Sequence, residues 1–279
     1  MVIFVHLRTA ISFLYKGLGI QMRFIVSANT DVGIEKSINQ DSMLVKIIRT
    51  GRGRVVLAVV CDGMGGLNRG ELASASVIHA FNNWSNTELP ALCSHGFDET
   101  VLREHWNRLV NEQNMLLRSY GDRNGVRLGT TIAALLLTES MYYILCVGDS
   151  SVYKISDKTQ KLTVDQTLAI KEVMLGHITE EQAKTDERRN VLLQCIGAYD
   201  TVEPEMICGT AAEDTVFMLC SDGFRHEIDE DEMFEKFSPK VLVNEKIMKS
   251  NAQELIGLAK LRKERDNISV VLIRSVGEA

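Results

Sequence analysis

Val55-Val56-Leu57-Ala58-Val59-Val60-Cys61 runs without a polar residue into Asp62-Gly63-Met64-Gly65-Gly66. An apolar, valine-rich run of this length reads as a buried strand. It stops on an acid, and the glycines after it bare the backbone, so that carbonyl groups there can approach a metal or a substrate closely. The same order recurs along the chain. Tyr142-Tyr143-Ile144-Leu145-Cys146-Val147-Gly148 ends in Asp149-Ser150, and Thr215-Val216-Phe217-Met218-Leu219-Cys220-Ser221 ends in Asp222-Gly223. Arg265-Asp266-Asn267 stands immediately before the apolar run at 268–273, and Asn39-Gln40-Asp41 precedes the run at 42–48.

Further strands are expected at 23–28, 54–61, 130–137, 141–147, 151–155 and 216–219, with hairpin turns at 138–140 and 157–160. Helices are expected at 68–85, opened by Asn68 with Glu71, and at 98–119, capped by Asp98. A third opens at Ser250 with Gln253, and a short one at Thr179 with Gln182. Strands come in runs and helices in separate clusters. That order predicts an α+β protein with antiparallel sheets and excludes a doubly wound parallel sheet. Residues 164–200, polar and helical in pattern, read as an insertion over one edge.

Composition bounds the function. With 279 residues, 45% of them hydrophobic and 24% charged, the chain can bury a full core, and three prolines exclude a proline-rich linker. A net charge of -6 argues against a nucleic-acid or anionic-membrane surface. Six cysteines include no C-x-x-C pair, and Cys61, Cys146 and Cys220 lie in apolar runs, so all six read as core thiols of a reducing compartment, the cytoplasm. Residues 1–21 are apolar, but Arg8 and Lys16 interrupt them and no signal-peptide pattern is present, so stable membrane insertion is not expected. This stretch reads as an added structural element, an interfacial helix, or a segment upstream of the true start at Met22, outside the functional domain of residues 22–276.

Taken singly, an Asp beside Gly at a strand end is a turn former. As a set, Asp41, Asp62, Asp149, Asp222 and Asp266 change that reading. Carboxylates that converge repel one another unless cations compensate them, and hard divalent ions such as Mg²⁺ or Mn²⁺ suit oxygen ligands. Lys36, five residues before Asp41, reads either as a solvated lysine or as a cation that holds an anionic substrate group beside the metals.

The ordered set resembles the metal-dependent protein serine/threonine phosphatases of type 2C in their compact bacterial form. It comprises Thr30-Asp31-Val32-Gly33, Asn39-Gln40-Asp41, Asp62-Gly63-Met64-Gly65-Gly66, Gly129-Thr130-Thr131, Gly148-Asp149-Ser150, Leu162-Thr163 with Asp165, Ser221-Asp222-Gly223 and Asp266-Asn267-Ile268-Ser269. The resemblance implies a four-layer α-β-β-α sandwich, with two central antiparallel sheets flanked by helices, and a site for two Mn²⁺ or Mg²⁺ ions at one end. By that resemblance Asp62 bridges both ions, Asp222 and Asp266 complete one, the Gly63 carbonyl binds the other, and Asp41 acts through metal-bound water. Lys36 stands where the family usually has a phosphate-gripping arginine, keeping the charge without the bidentate fork.

There are further departures. Gln40 stands where many members have Glu, Met64 where many eukaryotic members have His, and Ser151 where Arg is common. Asp149 keeps one ligand of a third metal site, whereas His226 replaces the acid that accompanies it. The implied reaction is hydrolysis of phosphoserine or phosphothreonine monoesters by attack of a metal-bridging hydroxide, on a phosphorylated protein produced by a cognate serine/threonine kinase. The alternative is a catalytically inactive regulatory module that keeps the fold. Residues 164–200 correspond to a variable flap, whose Glu180, Glu181, Lys184, Glu187, Arg188 and Arg189 either select substrates by charge or form a solvated face.

Overall fold

The computed structural model describes residues 1–7, 22–50, 53–65, 69–94 and 97–277. Its strands are β1 (Val2–Leu7), β2 (Met22–Asp31), β3 (Ser42–Thr50), β4 (Gly53–Cys61), β5 (Gly63–Gly65), β6 (Leu128–Thr130) and β7 (Ile132–Leu137). They continue with β8 (Met141–Val147), β9 (Ser151–Ile155), β10 (Thr159–Lys161), β11 (Glu205–Thr210), β12 (Thr215–Cys220) and β13 (Ile268–Gly277). The helices are α1 (Gly70–Thr87), α2 (Leu89–Ser94), α3 (Glu99–Asn124), α4 (Leu168–Met174), α5 (Glu180–Thr185), α6 (Asp222–Arg225), α7 (Glu230–Phe237) and α8 (Glu245–Leu261).

One sheet runs β1-β3-β4-β7-β8-β11 and a second β10-β9-β12-β13-β2, while β5 and β6 form a small ribbon. Neighbours pair antiparallel except β1, which adds to the edge of β3 in parallel. Residues 2–7 thus extend the first sheet, and 8–21 lie outside the described residues.

The continuous apolar runs are explained by burial on both faces of each central strand. In β4, Val55, Leu57, Val59 and Cys61 face α1 and α3, whereas Val56, Ala58 and Val60 face the other sheet. In β12, Phe217 and Leu219 face the first sheet, and Val216, Met218 and Cys220 pack under α7 and α8. Three stacked cores therefore separate four layers, helix-sheet-sheet-helix, as the resemblance implies.

Local signals set most helix ends. The Asp98 side chain accepts from the Thr100 amide, and Thr179 with Gln182 forms a reciprocal capping box. Four expectations are corrected. The last helix opens at Glu245, not at 250, because the Asn244 side chain accepts the Ile247 amide at 3.0 Å. Helix α1 opens at Gly70 with Arg69 as its uncapped boundary residue, and Asn68 lies outside the described residues. The strand expected over 130–137 breaks at Thr131, whose amide donates to the Asp62 carbonyl at 2.9 Å. Five cysteines are buried as expected, but Cys208, on the edge strand β11, is exposed. Among the described residues no helix is long and apolar enough to cross a membrane.

Phe217 is wholly buried between the sheets, its ring 5.2 Å from that of Tyr142. Phe217→Ala leaves a cavity there and is expected to cost about 3–5 kcal/mol, read as a lowered midpoint in urea unfolding. A loss below about 1 kcal/mol would contradict this packing.

Candidate active site

Antiparallel register carries the acids to one end of the sandwich. Ser42 pairs with Cys61, so Asp41 before β3 and Asp62 after β4 are neighbours. Cys220 pairs with both Val270 and Ser151, which brings Asp222, Asp266 and Asp149 to the same end. Asp31 pairs with Ile268, so the loop that follows β2, with Lys36, reaches this end too. Asp41, Asp149 and Asp222 are buried, whereas Asp62 and Asp266 are partly exposed.

Neutral side chains lock the acids in place. Ser221 donates to Asp41 Oδ2 at 2.9 Å and accepts the Ser269 amide at 3.0 Å, joining the two sheets at the site. Thr131 Oγ1 accepts the Asp62 amide at 3.0 Å and lies 2.6 Å from Ser150 Oγ, next to Asp149. Asn39 Oδ1 accepts the Asp41 amide, and Asn267 takes the Gln40 amide while donating to the Val32 and Ile38 carbonyls. These bonds tie the Lys36 loop to the start of β13. Gly223 packs so tightly that a Cβ there would meet the Asn267 carbonyl at 2.3 Å and Asp266 Cβ at 3.4 Å. The Gly63 carbonyl lies against Gly70, where a Cβ would come within 2.5 Å of it.

The electrostatics are those of like charges forced together. Burial, reinforced by Asp222 and Asp266, pushes the Asp41 carboxyl up to about 7 against hydrogen bonds that oppose the rise. Burial and then Asp41, Asp222, Asp149 and Asp266 push Asp62 well above its ordinary value. Asp149 rises to about 7 through burial and Asp222, with Arg225 pulling the other way. Burial alone would lower the Lys36 amine, but Asp266, 3.0 Å away, and the charges of Asp62 and Asp222 raise it.

A metal pair suits this donor set in chemistry. Asp41 Oδ1 and Asp222 Oδ1 are buried with no hydrogen-bond partner, an expensive state for carboxylate oxygens that a hard cation would relieve. Among the described residues no three acidic, histidine or cysteine side chains are already gathered at ligating distance. Ser221 takes up one oxygen of Asp41, and Lys36 one oxygen of Asp266.

Other groups at this end carried no signal in the sequence. Arg225 follows the Ser221-Asp222-Gly223 motif, yet its guanidinium packs against Asp165 Oδ2 and the Asp149 carbonyl, both at 3.1 Å. Asp165 also accepts from Ser151 at 3.2 Å and from Lys161 at 2.5 Å. Glu264, in a run of charges that reads as surface, is buried and accepts the Arg265 and Asp266 amides. In residues 164–200 the charges pair largely with one another: Lys184 with Glu181 at 2.9 Å, and Arg188 with Asp186 at 2.8 Å.

With this geometry in hand, similarity to known proteins identifies the family. The profile described as protein phosphatase 2C matches residues 34–255. The serine/threonine phosphatase stp of Listeria monocytogenes is 31% identical over 219 residues, covering 78% of this chain and 83% of that protein. The solved S. agalactiae serine/threonine phosphatase superposes with a TM-score of 0.74 at 27% identity, over 90% of this chain and 99% of that one. The catalytic domain of the serine/threonine phosphatase PstP, solved with two manganese ions, superposes with a TM-score of 0.73 at 25% identity, over 92% and 100%. The chain belongs to the protein phosphatase 2C family.

The raised carboxyls fix the sign of a pH effect in the metal-free protein. Between the ordinary value of 3.8 and about 7, folded Asp41 and Asp149 hold protons that the unfolded chain has released. Stability therefore falls as pH rises through that window, by up to about 1.4 kcal/mol per pH unit for each group. Thermal unfolding of the metal-free chain should show a midpoint that drops from about pH 5 to about pH 8. Asp62→Asn should raise the midpoint at the upper end, and a lowered one would contradict the repulsion.

Proposed function

We propose that this chain is a metal-dependent protein phosphatase that hydrolyses phosphoserine and phosphothreonine monoesters in protein substrates. The observation that carries the reading is the meeting of five carboxylates at one end of the two sheets, three of them buried. Such a cluster is destabilising on its own and is compensated by divalent cations. Asp62 would bridge two Mn²⁺ or Mg²⁺ ions, Asp222 and Asp266 would complete one, and the Gly63 carbonyl would serve the other. Ions held there supply Lewis-acid polarisation of the phosphoryl oxygens and a water acidified for attack.

The chain's own groups divide the remaining work. Asp41 keeps Oδ2 on Ser221 and leaves Oδ1 without a partner, so Oδ1 accepts a proton from water in the site. Lys36, on an exposed loop, shifts its amine from Asp266 to a phosphoryl oxygen and steadies the charge that develops there. Met64 cannot donate a proton, so the leaving serine or threonine oxygen takes one from water. Retention of Asp62, Asp222 and Asp266 supports an active enzyme over a silent module. The substrates would come from a cognate serine/threonine kinase, and the buried free thiols support a cytoplasmic setting.

Asp62→Asn and Asp222→Asn, assayed on a phosphothreonine peptide with Mn²⁺, should each lose turnover by about 10²–10³-fold or more. Turnover near that of the native chain in either variant would defeat the reading. Lys36→Ala should lower kcat/KM by about 10–100-fold, the scale of one charge-assisted hydrogen bond, while Lys36→Arg retains activity. Equal activity in all three forms would remove Lys36 from phosphate binding.

A further inference from the structure

The five acids are not alike in their surroundings. Asp41, Asp62 and Asp266 have only neutral donors or the mobile-stemmed Lys36 beside them. The corner between Asp149 and Asp222 is instead filled by nitrogen donors of the chain itself. Helix α6 is a single turn that begins at Asp222, so residues 225 and 226 return alongside it. Arg225 is largely shielded, its guanidinium fixed by Asp165 and set 3.1 Å from the Asp149 carbonyl oxygen. His226 places Nε2 at 3.6 Å from Asp222 Oδ2 and Nδ1 at 3.3 Å from Glu264 Oε2. Glu264 is itself held by two backbone amides, at 2.7 and 2.9 Å.

A guanidinium cannot be deprotonated in a protein, and it offers donors and no acceptor. Set beside Asp149, Arg225 balances the negative charge of this corner, repels a further divalent ion, and presents it with no ligand atom. His226 stands 3.6 Å from Asp222 Oδ2 and offers such an ion no carboxylate oxygen. Asp165 cannot substitute as a ligand, because Lys161, Ser151 and Arg225 already take its oxygens.

We propose that Arg225, with His226 beside it, is the resident cation of the Asp149 corner, so that the five carboxylates take up two divalent ions and not three. Arg225 is then a positioning residue, holding the 148–151 turn and the start of α6 in register. This inference rests on the two-metal reading above and concerns the number of ions, not their presence.

The test is the count of Mn²⁺ bound per chain, measured on the full chain by isothermal titration calorimetry and by metal analysis after equilibrium dialysis. The native chain should bind two. The double variant Arg225→Met with His226→Asp, which removes the fixed charge and adds an oxygen ligand, should bind three. Should that variant fail to fold by circular dichroism, His226→Asp alone is titrated, and the native count still decides. Three ions on the native chain would overturn the inference and leave the phosphatase reading intact. No Mn²⁺ on the native chain would overturn both. Two ions on a folded double variant would show that these side chains do not set the number.

Discussion

Repulsion among five carboxylates at the shared end of two antiparallel sheets governs how this protein is built. No single bond in the chain neutralises it. Asp41, Asp62 and Asp149 each carry a proton affinity far above that of a free carboxyl, with burial as the leading cause and neighbouring acids adding to it. A protein selected for stability alone would dilute such a cluster with apolar or amide residues. Its retention, at the cost of a less stable metal-free fold, is the physical argument for a site that exists to bind cations.

Neutral hydrogen bonds make the cluster tolerable. Ser221, Thr131 and Asn39 fix the backbone or one oxygen of an acid, and the Asn267 amide donates to Asp266 Oδ1, all without adding charge, and they leave Oδ1 of Asp41 and of Asp222 unused. A lysine or arginine in these places would quench the repulsion and block the site with the same bond. Charged partners appear where an acid is structural. Asp165 holds Lys161, Arg225 and Ser151 at once, and its carboxyl is kept below its ordinary value because the charges of Arg225 and Lys161 outweigh burial. Asp165, held by cations, and Asp62, held only through its amide by Thr131, thus differ in kind.

Much of this was legible in the sequence, and for a definite reason. Strands buried on both faces leave unbroken apolar runs, and a polar residue that ends such a run is conspicuous, as Asp62, Asp149 and Asp222 are. The motifs also contained Ser221, Thr131 and Asn267, although nothing in their spacing says that they bracket the acids. Arg225 and Glu264 were not legible, because burial of a charged residue depends on partners far away in the chain: Asp165 is 60 positions before Arg225. β11 was missed because its residues are half-exposed and its partner, β8, is distant in sequence, so neither alternation nor a turn announces it. The helix opening at 244 was missed because Ser250 with Gln253 mimics a cap inside a helix that Asn244 had already started.

The site spans both sheets, and so its geometry depends on the core between them. Asp41 and Asp62 flank strands of the first sheet and Asp222 and Asp266 strands of the second, while Asp149 lies in the crossover from β8 to β9. The distance between these groups is set by the side chains that fill the interval: Val56, Ala58, Val60, Ala133 and Leu135 from one side, Phe217, Leu219, Val271 and Ile273 from the other. Ser221 to Asp41 and Thr131 to Ser150 only pin what that packing has already brought within reach. Close-packed interiors transmit a lost methylene as a shift of their neighbours. A core change well away from any acid therefore alters the separation of Asp62 from Asp222, and with it the affinity for the cation that we propose they share.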